Sequence, residues 1–575
     1  MNGCKFIENF NKLRKSSSDS IDNIQSFDDF RKYMHVTRAT ETNLKTILTA
    51  VNSTPKKTMV LLCGSAGDGK SHLLSYLRNS DPDNLLEKYK VFNDATESNA
   101  PDKTAVETLC NRLADFNDEN IDKLGSNAII AINLGVLSNF IESHCASGFS
   151  LLKEYVKNSN ILTSEVTETT YIENSYFQHI SFSDYHMFSL NKDGINPEYI
   201  EALFEKIVSD DKNNVFYSSY ISDCSTCSLR SQCPIRMNYE FLIKPGVRHY
   251  IALMLVKVIL KDKEILTTRE LLNYVYDIVV APGFDYAKFY NSSTNPSLFL
   301  KEYLTYITPS LLFDNVDVSA IMNKTRKYDP LLNRNEHEDD IAIEYYVSDD
   351  VSNTVLSIVG ESPYSAVLCD TAYIGILNED KTIKSKLFNV LIRIRDLMNV
   401  TGYDPMFSKF ISDLYNYNIG KTPKLASLYS DIEDAVTCWC GNEDDDNICI
   451  DDSHKSFSIY ENIKFEPFLD NIPTPAVTEE IQKFLPFIVA EFQDGNNSPI
   501  HLDVDYSLYE LIEKLKTGYV QTAEDRNNHA DFISFISKIL KTGSSGKSIT
   551  ILSEDGQKAI LEKTNFGTYK FKVVK

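Results

Sequence analysis

From Thr58 to Cys63 the chain runs without a charge, the continuous apolar pattern of a strand buried on both faces. Apolar positions then return at helical spacing through Leu73, Leu74 and Leu77. Further strand candidates lie at 89–93, 128–133 and 177–182, with helix-compatible stretches at 104–116 and 137–144 between them. Such alternation predicts a parallel α/β sheet. A helical lead precedes it at 26–52, with Leu44, Ile47 and Leu48 on one face. After it, 246–280 reads as helix with a break at 262–267 and a stop at Pro282-Gly283, the pattern of a helical lid. Residues 284–440 stay mostly helical. Past the acidic, turn-rich stretch 441–452, strand-like runs at 457–465, 486–492, 548–552 and 569–574 flank helices at 506–516 and 530–541. That tail predicts a separate α+β module.

The 575 residues exceed one ordinary core, so several are expected. With 42% hydrophobic residues the chain should fold throughout, the first thirty or so residues and the acidic loops excepted. The expected division is a helical lead at 1–52, a nucleotide-binding core at 53–222, a cysteine loop and lid at 223–283, a helical region at 284–440 and the module at 441–575. A net charge of −23 opposes general adsorption to DNA, so any DNA contact should be local or borrowed from a partner. No leader-like apolar core opens the sequence, and no run approaches the ~18 uninterrupted apolar residues of a membrane span. The expectation is a cytoplasmic protein with no membrane partner.

The chemistry concentrates at Gly64-Ser65-Ala66-Gly67-Asp68-Gly69-Lys70-Ser71, followed by His72, between the first strand and its helix. A loop that wraps a polyphosphate must turn sharply and point N–H groups inward, which glycine permits. The helix dipole adds positive potential, Lys70 reaches the β/γ-phosphates and the Ser71 hydroxyl ligates Mg²⁺. A chance match to this pattern arises in on the order of one chain in a hundred at ordinary residue frequencies, so a P-loop binding ATP outweighs an ordinary glycine-rich turn.

Hydrolysis also needs an acid near the metal and a group that orients water. No apolar strand here ends in Asp-Glu. The candidates are Asp94, Glu97 and Asp184, with Asn133 as a polar γ-phosphate sensor; each also fits a strand end or helix cap. Arg269 opens the lid helix where AAA+-type ATPases place an arginine on the nucleotide. The fold expected is thus an α/β P-loop NTPase of AAA+/STAND-like type.

Cys224, Cys227 and Cys233 give three thiols in ten residues, a spacing that a structural Zn²⁺ could use with a fourth ligand such as His249 or Cys145. Buried, inert thiols and an iron–sulfur cluster are the competing accounts. Arg230, Arg236, Lys244, Arg248 and His249, interleaved with Tyr239 and Phe241, suggest a local surface for nucleic acid or an acidic partner, against a plain solvated face.

Tyr33-Met34-His35-Val36-Thr37-Arg38, the loop with His72, Leu73 and Leu74, and Asn93-Asp94-Ala95-Thr96-Glu97-Ser98 together resemble the DptF family of DNA phosphorothioation-dependent restriction proteins. The likeness continues through Ala131 to Gly135, Asp184-Tyr185-His186, the cysteine loop, and the tail from Gly518-Tyr519 to Asp525-Arg526, covering most of the chain. It implies an ATPase subunit of a bacterial defence system that restricts DNA lacking phosphorothioate marks, working with companion subunits and meeting DNA through the complex. The alternative is a stand-alone signalling or scaffold P-loop ATPase that recruits a protein partner.

Overall fold

The computed structural model describes residues 4–19, 27–93, 105–163, 166, 170–292, 294–315, 318–332, 336–399, 404–444, 447–451, 453–454, 456–469, 479–494, 498–542, 548–564 and 566–574. The four expected strands form one parallel sheet: β1 (Met59–Gly64), β2 (Tyr89–Phe92), β3 (Asn127–Asn133) and β4 (Phe177–Ser181), in spatial order β2-β3-β1-β4. Met59 lies across from Ala128 on one side and Phe177 on the other, and Gly64 from Asn133. Every residue of β1 is buried because helices cover both faces. One face gathers Met59, Leu61 and Cys63 with Leu137 and Phe140; the other gathers Val60 and Leu62 with Leu44, Leu48 and Leu74. The chain is therefore a mixed α/β protein around a four-stranded parallel sheet.

Before the sheet come α1 (Lys5–Asp19), α2 (Asp29–Tyr33) and α3 (Ala39–Asn52), and α4 (Lys70–Ser80) follows β1. Helix α1 corrects the expectation that order begins near residue 30. Phe6, Phe10 and Leu13 recur at helical spacing and are at most 1% exposed. The Phe6 ring meets Tyr239 at 5.3 Å edge-on, and Phe10 packs on Phe216 at 4.9 Å.

The helices Pro245–Lys261 and Thr268–Val279 flank the expected break. Their neighbourhood is pinned by Asn238, fully buried and satisfied on both ends of its amide. It donates to the carbonyls of Val279 and Tyr306, and accepts from the Thr308 N–H and the Tyr364 hydroxyl. Farther on, buried Arg393 donates to Asp329 at 2.6 and 3.1 Å and to Asp314 at 2.8 Å.

The chain forms two compact units, one of residues 1–189 and 196–403, the other of 190–195 and 404–575. The second begins before the expected boundary at 441, taking in the helices Pro405–Asn418 and Ala426–Cys440. It contains a six-stranded antiparallel sheet ordered Tyr569–Val574, Lys558–Lys563, Ser548–Ser553, Phe457–Asn462, Asn447–Asp451 and Asn442–Asp444. Among the described residues, no helix is long and apolar enough to cross a membrane.

Candidate functional site

Side chains from the carboxyl ends of all four parallel strands meet at one cavity of about 220 Å³. The turn after β1 contributes residues 66–71, the end of β2 Asn93, the end of β3 Asn133 and the end of β4 Phe182. Ligands of open parallel sheets bind at this edge because loops there are free to vary while the strands hold their origins fixed.

The turn is shaped by its glycines. Gly67 and Gly69 have φ of +90° and +96°, a region that side chains with a Cβ avoid. A Cβ on Gly67 would lie 3.1 Å from the Thr267 hydroxyl, and one on Gly64 2.6 Å from the Asp68 carboxylate. The Asp68 carboxylate accepts from the Ser65 N–H at 2.5 Å, and Lys70 Nζ donates to the Ser65 carbonyl at 2.5 Å. Burial raises the Asp68 carboxyl above its ordinary pKa, opposed chiefly by the Lys70 charge. Arg38 braces the loop from outside, donating to the Asp68 carbonyl at 3.2 Å and the Tyr185 carbonyl at 3.3 Å while lying over the Tyr199 ring.

Helix α4 starts immediately after Gly69, its N-cap, so its first N–H groups have no partner within the helix. Ser71 Oγ donates to the Asn93 carbonyl at 3.5 Å. The Asn93 Oδ1 is buried without a hydrogen-bond partner. Asn133 precedes the helix Leu134–Glu142 as its N-cap residue but makes no capping bond with its side chain. That removes the plain capping account of Asn133.

Arg269 reaches the same cavity. Its helix begins in a capping box, in which the Thr267 hydroxyl accepts from the Glu270 N–H and the Glu270 carboxylate accepts from the Thr267 N–H. The close approach of Thr267 and Arg269 Cβ to Gly67 sets this helix directly on the turn. Lys70, Asn133 and Arg269, distant in sequence, are thus brought together. Asp184 is not with them: it ends a 3-10 turn after β4, accepts from Ser181 Oγ at 3.0 Å, and does not line the cavity. Asp94 and Glu97 lie outside the described residues.

Sequence reasoning passed over two groups. Arg31 and Arg38 line the cavity with Lys70 and Arg269, so four cationic side chains converge within a chain of net charge −23. The other is a polar relay beside His72. His72 Nε2 lies 3.1 Å from His35 Nδ1, His35 Nε2 lies 2.9 Å from Glu41, and Lys45 donates to Glu41 at 2.8 Å. The His35 ring stacks on Tyr76 at 3.5 Å. Burial, and then the His35 charge, push the His72 pKa down to about 4. The spacing of His35 and His72, 37 residues apart, carried no local signal.

In the basic cluster three of the five basic side chains are paired with carboxylates. Arg236 pairs with Glu240 at 2.8 Å, Arg248 with Glu205 at 2.8 Å and His249 with Glu201 at 2.6 Å. Tyr239 and Phe241 are fully buried, so neither offers a stacking face.

The residues present suit a bound polyphosphate with Mg²⁺. The cradle admits no Cβ at Gly64 or Gly67, cations converge on it, and a buried Asn93 oxygen stands at its edge. No protein-family model, no curated protein and no solved structure matches the chain.

Proposed function

We propose that this chain binds and hydrolyses ATP at residues 64–71, as the ATPase subunit of a bacterial phosphorothioation-dependent DNA restriction complex. The observation that carries the nucleotide part is the convergence of the glycine turn, Lys70, Asn133 and Arg269 on one cavity at the carboxyl edge of the parallel sheet. The restriction role rests on the resemblance to DptF proteins, and with it a cytoplasmic setting, companion subunits, and DNA met through the complex.

On this reading the fold is a P-loop NTPase of AAA+/STAND-like type, and the helix Thr268–Val279 belongs to its lid. Gly64 to Gly69 shape the cradle, Lys70 neutralises phosphate charge, and Ser71 supplies a hydroxyl to Mg²⁺, with His72 continuing the helix behind them. Mg²⁺, when bound, supplies charge that offsets the phosphoryl oxygens. Arg269 and Asn133 are the groups that sense the terminal phosphate, and Asp94 or Glu97 is the acid available to metal or water.

The test is ATP binding and phosphate release by the chain and by Lys70→Ala, first alone, then with unmodified DNA and the candidate companion subunits. Lys70→Ala should fold and lose nucleotide binding. Unchanged affinity in that variant would sink the nucleotide reading, whereas Lys70-dependent turnover indifferent to DNA and partners would sink the restriction role alone.

A further inference from the structure

A second cavity, of about 240 Å³, lies apart from the nucleotide site and is lined by four cysteines. Three belong to the run seen in the sequence: Cys224 in the last turn of the helix Val215–Thr226, Cys227 at its C-cap, and Cys233 at the N-cap of the helix Pro234–Ile243. The fourth is Cys4, immediately ahead of α1 and 220 residues away in sequence. It is delivered by the packing of Phe6 and Phe10 against Tyr239 and Phe216. The ligands suggested by sequence are engaged elsewhere, His249 with Glu201 and Cys145 beside Cys110.

Hydrogen-bond donors face the sulfurs. The sulfur of Cys233 accepts from the N–H groups of Ile235 and Arg236, and that of Cys4 from those of Phe6 and Ile7. The Cys227 sulfur lies 3.5 Å from the Tyr286 hydroxyl. Arg230 and Arg236 line the cavity, and Arg236 Nε is a buried donor without a partner. Three of four sulfurs therefore have donors, and the lining holds Lys5, Arg230 and Arg236, the last paired with Glu240, against one carboxylate, Asp223, so its charge is net positive beside a metal bound by four thiolates. None of the eleven cysteines forms a disulfide, so all four thiols are chemically available.

We propose that Cys4, Cys224, Cys227 and Cys233 hold a four-thiolate metal centre that fastens α1 to the helical part of its unit. Each thiol gives its proton to solvent on ligation. A single zinc ion draws its sulfurs to about 2.3 Å from one point. Among the described residues no group of three or more Cys, His, Asp or Glu side chains is gathered closely enough to hold one ion. The four sulfurs instead surround a cavity, the arrangement of an iron–sulfur cluster, which spreads its thiolates around its own volume.

The experiment is iron, acid-labile sulfide and zinc analysis of the full chain purified without oxygen, then after incubation with Fe³⁺ and sulfide in the presence of a dithiol reductant, which supplies the two electrons per four irons, or with Zn²⁺ alone. The expected result is about four iron and four sulfide per chain with visible charge-transfer absorption. About one zinc per chain would keep the four-thiolate site and replace its occupant. Cys4→Ser should lower the metal content severalfold, and Cys369→Ser, outside the cavity, should leave it unchanged. Should Cys4→Ser not fold, alkylation of the native chain reads the same point: these four thiols should be protected until the metal is removed. Metal-free protein under all three conditions, or metal retained in a folded Cys4→Ser, overturns the proposal.

Discussion

His72 shows how one side chain in the phosphate turn reports on its surroundings. Its pKa is pushed to about 4 by burial and by the His35 charge, so the folded chain takes up this proton later than the unfolded one. Below the unfolded value of about 6.5 the unfolded state binds more protons, so stability falls as pH drops from there toward 4. His72 keeps part of its surface in water, which holds the slope below the limit of about 1.4 kcal/mol per pH unit. Nearby carboxylates shift in opposite senses. Glu41, held below its usual range by its bonds from His35 and Lys45 against the larger effect of burial, loses stabilisation on acidification, whereas buried Asp68, raised, gains it. In the window from about pH 6.5 to 5 the histidine adds its own slope to theirs. Urea unfolding across it should show a slope that His72→Gln lowers; an identical slope in the variant would refute the assignment.

At the scale of elements, Arg269 depends on how its helix begins. Thr267→Ala deletes the N-cap acceptor and should cost about 1 kcal/mol in the unfolding of this unit. It also removes the hydroxyl closest to Gly67, freeing the start of the helix from the turn. Phosphate release should therefore fall severalfold while nucleotide affinity changes little, as steady-state turnover beside equilibrium binding will show. Equal losses in both would mean that Thr267 shapes the cradle itself. Elements of this kind were legible where local chemistry decides the conformation. β1 and the interior of β3 are uninterrupted apolar runs, and the break at 262–267 opens on Asp262, Lys263 and Glu264. Others were not. Phe6, Phe10 and Leu13 have helical spacing, but a Ser-Ser-Ser run follows at 16–18, and their burial against Phe216 and Tyr239 is a tertiary fact. The strand Pro499–Val504 alternates exposed and buried residues, yet opens with a proline and carries His501 and Asp503 outward. The P-loop pattern could be read because its residues are contiguous; Arg31, Arg38 and Cys4 could not, because only folding brings them to their cavities.

For the whole molecule the governing quantity is charge. Phosphate backbones are held by cations that release counterions, and a chain of net charge −23 repels them at any distance the solvent does not screen. A local patch could override this, and the cluster at 230–249 was the candidate. Three of its cations, Arg236, Arg248 and His249, are paired with carboxylates, and its aromatics are buried. The cations gathered at the parallel sheet line a cavity of about 220 Å³, sized for a nucleotide rather than a duplex. The isolated chain should therefore bind duplex DNA more weakly than the ~10⁻⁴ M end of ordinary non-specific affinity at physiological salt. Fluorescence anisotropy of a labelled, unmodified duplex, titrated over a range of salt, measures this directly. Micromolar binding that weakens steeply with salt would reveal a basic surface that the paired residues do not account for. Weak binding alone, strengthened when companion subunits are added, would assign the grip on DNA to the partners and leave this chain the nucleotide-driven step.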